Sequence, residues 1–365
     1  MESDSFNLEE YLSAGVEHFV KDTMRATLKN PAASVFLVKF AAASKKASKI
    51  RKKYDENGEH IPPFLIASIT GSCNLHCEGC YSRGTHATDD KMSVDEMSAK
   101  DWGRVFGEAA ELGISFIVLA GGEPLIRRDV IEQAGKEKNI MFPIFTNGTF
   151  IDKKYFEIFS KNRNLVPVLS IEGDKAVTDK RRGPGVYDTV MKNMDLFREK
   201  GLIFGASVTV TKANYEAAVS EEFAREMCKK GSKFLFLTEY VPIGGDGAEL
   251  AVEDEERGYV RERLAILRDK FPGMVFVNIP GDEKSSGGCL AAGRGFFHIN
   301  AHGSAEPCPM SPYSDTNVKE VSLREALKSP LFTYLRDTGA LTEDHVGGCV
   351  LAGQEEKIKE FKAGK

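Results

Sequence analysis

Apolar and polar positions divide the chain into three stretches. Up to about residue 60 there is no β-type alternation and no glycine before Gly15, which predicts helices. Asn30-Pro31 opens the second of them, since proline suits a first helical turn. That helix carries Val35, Phe36, Leu37, Val38, Phe40 and Ala41, then turns basic through Lys45, Lys46, Lys49, Arg51, Lys52 and Lys53. From Pro63 onward, short apolar β-branched runs alternate with amphipathic ones. Strands are expected at 63–70, 115–120, 142–145, 166–171, 204–210 and 233–241. Helices are expected between them: one opened by the capping box Ser93-Val94-Asp95-Glu96 and closed by Gly113, then 128–138, 152–161, 186–200, 215–229 and 253–270. Six strand–helix units argue for an α/β fold with a parallel sheet, its right-handed crossovers curving it into a partial TIM-type barrel. Beyond about 272 the alternation is expected to stop. The domains expected are therefore 1–60, a helical extension; 61–271, the barrel; and 272–365, a small C-terminal domain.

With 365 residues, 42% of them hydrophobic, the chain can build a sizeable core without disulfide staples. A net charge of −5 carries no global nucleic-acid signature. The acidic start MESDSFNLEE predicts no signal peptide, and no apolar run reaches the roughly 18 residues a membrane span needs. Seven cysteines, an odd number, suggest metal ligation in a reducing compartment, so a cytoplasmic protein is expected. The basic end of the second helix reads first as the solvated flank of a segment packed on the main domain. Its second reading is peripheral contact with an anionic membrane or an acidic partner.

The chemistry begins where the first strand ends, at Ser72-Cys73-Asn74-Leu75-His76-Cys77-Glu78-Gly79-Cys80-Tyr81. Three thiols in a C-x3-C-x2-C frame leave a four-coordinate site one ligand short. Zinc sites usually close with four N or S donors, whereas an iron–sulfur cube on three thiolates keeps one iron open. The next strand runs into Gly121-Gly122-Glu123-Pro124, where two glycines permit close backbone approach to a ligand. The fourth ends in Leu169-Ser170-Ile171-Glu172-Gly173, placing a hydroxyl and a carboxylate two residues apart as acceptor groups. Each motif falls at the carboxyl end of a strand, where such folds place their chemistry.

Over about residues 63–350 this pattern resembles the radical SAM superfamily. The resemblance implies a 4Fe–4S cluster on Cys73, Cys77 and Cys80 that binds S-adenosylmethionine and cleaves it reductively to a 5′-deoxyadenosyl radical, which takes a hydrogen atom from substrate. It implies that Gly121, Gly122, Glu123 and Pro124 receive the methionyl amine, that Ser170 and Glu172 face the ribose, and that Arg182 meets the carboxylate. Tyr81 and Asn147 are weaker cofactor contacts, equally explained by packing and turn chemistry. Reduced flavodoxin or ferredoxin is the electron donor so implied. Further on, Cys289, Gly303, Cys308 and Cys349 resemble the first half of a SPASM extension or the shorter twitch. That implies one auxiliary 4Fe–4S cluster, with His298 or His302 as possible fourth ligands. Zinc on the same thiols and a histidine, or plain buried thiols, stay open. Cys228 reads as a packed mid-helix residue. Glu239, with Tyr240 and Asp246 nearby at the sixth strand's end, is the candidate base. The substrate class expected is a peptide or protein, or a natural-product or cofactor precursor, with a lipid as alternative. A non-enzymatic electron carrier or redox sensor is the competing reading.

Overall fold

The computed structural model describes residues 8–27, 31–243, 247–279, 287–342 and 349–363. Helices α1 (Leu8–Thr27) and α2 (Pro31–Asp55) come first. The strands follow: β1 (Phe64–Ser68), β2 (Phe116–Ala120), β3 (Phe142–Thr146), β4 (Leu165–Ser170), β5 (Gly205–Val210), β6 (Phe234–Glu239), β7 (Val275–Ile279), β8 (His298–Ile299) and β9 (Ala305–Glu306). Among the described residues these nine form one sheet in the order β7-β6-β5-β4-β3-β2-β1-β8-β9. All neighbours pair in parallel except β8 and β9. The expected parallel α/β sheet is present, and it runs one unit further than the alternation suggested. Pro272-Gly273 turns the chain after the helix Asp254–Lys270, and Val275–Ile279 pairs along β6.

Two apolar layers follow from two-sided burial of these strands. Outside, the helices bury residues such as Trp102, Phe106, Phe159 and Phe197 against the sheet. Inside, the first residues of the strands, including Phe116, Val166 and Phe234, meet Val16, Val20, Leu37 and Phe40 of α1 and α2. Phe19 stacks on Phe234 with centroids 5.3 Å apart and meets the edge of Phe116 at 5.5 Å. The helical extension therefore plugs the amino-terminal mouth of the barrel. Arg51, 1% exposed, pins the hairpin by donating to the Gly113 carbonyl at 2.7 Å. Packing on the main domain is thus the arrangement found. Leu37 and Phe40 face the barrel, so they are not available to a bilayer. Among the described residues no helix is long and apolar enough to cross a membrane.

Local readings shift in three places. The capping box lies at Ser98 and Asp101, opening Ala99–Leu112, because Glu96 is drawn away to the loop after β1. Gly113 ends that helix in the left-handed region at φ 84°, as expected. The segment 215–229 splits at Ser220, which caps Glu221–Lys230. A helix not anticipated, Lys175–Arg182, follows β4 and carries Arg182 in its last turn.

Candidate radical cofactor site

The site is assembled at the carboxyl ends of β1 to β6. Its root is the turn leaving β1. Glu96 Oε1 accepts from the Gly71 amide at 2.8 Å and the Thr70 hydroxyl at 3.1 Å. Arg127 holds that carboxylate at 3.4 Å while donating to the carbonyls of Ile69 and Met97. Arg127 was not singled out in the sequence, and Glu96 was read there only as part of a helix cap. A buried acid and base in two loops, 31 positions apart, give no sign of their pairing until the fold joins them.

The Gly121-Gly122-Glu123 turn lies directly against this root. The amides of Gly122 and Glu123 donate to the carbonyls of Thr70 and Ser72 at 2.8 and 2.7 Å. A Cβ on Gly121 would fall 2.2 Å from the Thr70 oxygen, and one on Gly122 2.1 Å from that of Ser72. The glycines are therefore required by backbone–backbone approach whatever the ligand. Glu123 is 1% exposed, and its carboxylate accepts from Leu125 N, Thr146 Oγ1 and Asn147 N. Burial pushes its carboxyl up, against the pull of those donors. Asn147 completes the clamp, donating to Asn74 of the cysteine loop at 2.9 Å.

Cys73, Cys77 and Cys80 lie close together: the charges of Cys77 and Cys80 raise Cys73, and that of Cys80 raises Cys77. Burial pushes the Cys73 thiol up to about 11 and raises Cys77, the latter opposed by Arg182 and Arg181. Such thiols ionise when a metal replaces the proton. Among the described residues no trio of Cys, His, Asp or Glu side chains closes on the point a single ion would occupy. The donor chemistry suits a soft-ligated cluster, and the Arg181 guanidinium, whose charge lowers Cys77, has its Nε buried with no partner, which fits an anionic group nearby.

Glu172 corrects one expectation. Its side chain is fully buried, and its carboxylate takes Arg181 at 2.6 Å, Arg182 at 2.7 Å and the Thr209 amide at 2.9 Å. Those lone pairs are engaged by protein donors and not offered to a ribose. The carboxylate instead fixes both guanidinium groups beside the cysteine loop, tied further by Glu78 N to Arg181 O at 2.9 Å. Burial alone would lower Arg182, yet the charges of Glu172 and Cys77 hold it raised. Ser170 keeps a hydroxyl near this end of the sheet, 3.3 Å from that of Ser207 on β5.

Glu239 is likewise engaged, bound to Arg257 at 2.6 Å. Tyr240 packs where Cβ atoms on Gly79 and Gly247 would lie, bracing the cysteine loop. Asp246 falls outside the described residues. The Tyr81 hydroxyl is raised by burial, then by Cys80, Cys308 and Glu306, which places Tyr81 between the two cysteine sets.

The C-terminal set also comes together. Cys308 is raised well above a free thiol by burial first, then by Cys349, with Cys289 adding. Ser311 Oγ, next to Cys308 in a small bridge, is buried without a partner, which suits a sulfide or thiolate acceptor. His298 has both ring nitrogens engaged, by Glu306 at 2.7 Å and Ser68 at 2.7 Å, so it is not free as a fourth ligand. His302 is exposed. Cys228 packs, partly buried, against the main core as expected.

Comparison with known proteins agrees with this geometry. Residues 67–237 match the radical SAM superfamily. An AdoMet-dependent heme synthase of Methanosarcina barkeri is 30% identical over 305 residues, covering 75% of this chain and 85% of that protein. A probable GTP 3′,8-cyclase of Methanothermobacter thermautotrophicus is 41% identical over 322 residues, covering 79% and 94%. Among solved structures, Streptococcus suis SuiB bound to precursor peptide SuiA superposes with a TM-score of 0.65 at 19% identity, covering 80% of this chain and 70% of SuiB. Native anSMEcpe with bound AdoMet gives 0.59 at 17%, covering 82% and 96%. At these identities the two structures establish the shared fold.

Proposed function

The chain belongs to the radical SAM superfamily, and from that premise we propose that it removes a hydrogen atom from a small cofactor precursor of the carboxylated tetrapyrrole class. It is an enzyme that uses a 4Fe–4S cluster and S-adenosylmethionine. The observation carrying the substrate class is that one relative, 30% identical across 85% of its length, is named AdoMet-dependent heme synthase, and another, 30% identical over 155 residues, Fe-coproporphyrin III synthase. When bound, the cluster and the sulfonium cofactor supply one-electron cleavage to an adenosyl radical.

In this reading Cys73, Cys77 and Cys80 hold the cluster, and the Glu96–Arg127 pair keeps their loop at its height above β1. Gly121 and Gly122 leave backbone exposed to the methionyl amine. Ser170 contributes a hydroxyl to the ribose. Arg182, oriented by Glu172, meets the carboxylate, since a planar guanidinium pairs with it in two places. Cys289, Cys308 and Cys349 would hold one auxiliary cluster, which would supply a one-electron acceptor beside the substrate. Reduced flavodoxin or ferredoxin supplies the electron that starts the cycle.

The test is anaerobic incubation of iron-loaded protein with dithionite and S-adenosylmethionine, with and without iron-coproporphyrin III. Formation of 5′-deoxyadenosine that rises with the porphyrin, together with conversion of the porphyrin, is expected. If 5′-deoxyadenosine forms but ignores the porphyrin, the substrate class is wrong. If none forms under any condition, the electron-carrier reading replaces this one.

A further inference from the structure

We propose that the outward face of α2 is a docking ridge for an anionic lipid surface, set at the opposite end of the barrel from the cysteine loop. Lys39, Lys45, Lys46, Lys49, Lys52 and Lys53 are all exposed. At 100° per residue they fall, with Val35 and Val38, within an arc of about 140°. The opposite arc holds Ala33, Leu37, Phe40, Ser44 and Arg51, all buried against the barrel and α1. The orientation of the ridge is therefore locked by the plug.

Among the described residues none of the six ammonium groups has a carboxylate partner. Elsewhere on the surface lysines are commonly paired, as Lys175, Lys212, Lys230, Lys270 and Lys359 are. A chain of net charge −5 thus keeps an unneutralised cationic line on one helix. Self-repulsion along such a line is relieved by an external anion.

The shape selects the partner. From Val35 to Lys53 the ridge is about 27 Å long. Its amino-terminal end carries two large apolar side chains in the open, Val35 at 58% and Val38 at 56% exposure. Cations beside a short apolar foot suit the boundary between phosphate headgroups and acyl chains, whereas a nucleic acid backbone offers valine nothing. Docked this way, the barrel's plugged mouth faces the lipid and the carboxyl ends of its strands face away from it. None of this depends on the radical chemistry.

The experiment is co-sedimentation of the full-length, iron-loaded protein with vesicles of phosphatidylcholine alone or with about 30% phosphatidylserine. Binding to the anionic vesicles only is expected, fading as salt rises from about 0.05 to about 0.5 M. The combined variant Lys45→Ser, Lys46→Ser, Lys49→Ser should lower the partition coefficient about hundredfold. These lysines lie outside the cofactor site, so dithionite-driven formation of 5′-deoxyadenosine by this variant should match the unaltered protein and report its integrity. Three results would overturn the proposal: no binding to the anionic vesicles, equal binding to both vesicle types, or unchanged binding by the triple variant. Salt-sensitive binding to RNA or to an acidic protein without vesicle binding would overturn it too.

Discussion

Replacing Glu172 by glutamine probes the joint between fold and site. Its buried carboxylate accepts from two guanidinium groups and from the Thr209 amide. Glutamine keeps the size and one acceptor oxygen but removes the charge and turns an NH2 towards existing donors. Hydrogen bonds to charged groups contribute about 1.5–3 kcal/mol each, and breaking a buried ion pair costs about 3–5 kcal/mol. Because one acceptor survives, a loss of about 3 kcal/mol is expected, lowering the unfolding midpoint by about 4 °C in a chain of this size. Arg182 loses its anchor in the same step, so affinity for S-adenosylmethionine should fall at least about tenfold. Anaerobic thermal unfolding and titration of the cofactor into the iron-loaded protein measure the two effects. Lys175→Ala is the control, because its partners Asp179 and Asp188 lie in solvent contact, and it should leave the midpoint within about 1 °C. If Glu172→Gln melts with that control and binds the cofactor normally, the carboxylate is not the organising group described here.

Three further outcomes are expected. Gly122→Ala puts a methyl 2.1 Å from the Ser72 oxygen, so the cysteine loop must move; iron content and 5′-deoxyadenosine formation should both collapse, and retention of both would refute the close-approach argument. Phe19→Ala removes a ring packed on Phe116 and Phe234 and should destabilise by about 2–3 kcal/mol in denaturant titration, while cofactor affinity stays unchanged because the plug is at the far mouth. Combined replacement of Cys289, Cys308 and Cys349 by alanine should lower bound iron from about eight to about four per chain, and unchanged iron would reject the auxiliary cluster.

Much of the architecture was legible because periodicity is a local property. The apolar runs of β1 to β6 and the amphipathic helices between them are written in consecutive residues, and so is the C-x3-C-x2-C frame with its following Gly-Gly-Glu. Those features named the parallel sheet, the strand-end loops and the three-thiol site without reference to any distant residue. What depends on who meets whom across the chain was decided only by the tertiary structure. Glu172 reads in sequence as a free acceptor, but the unanticipated helix Lys175–Arg182 folds back and supplies two cations to it. Glu96 reads as a cap, but Arg127 and the Gly71 amide claim it. His298 reads as a spare ligand, but Ser68 on β1 and Glu306 on β9 take both its nitrogens. The first two helices read as an appendage, and only the closing of the barrel creates the mouth they fill. A side chain's type is set by its codon; whether its charge is free, paired or buried is set by neighbours that only the folded chain brings within 3 Å.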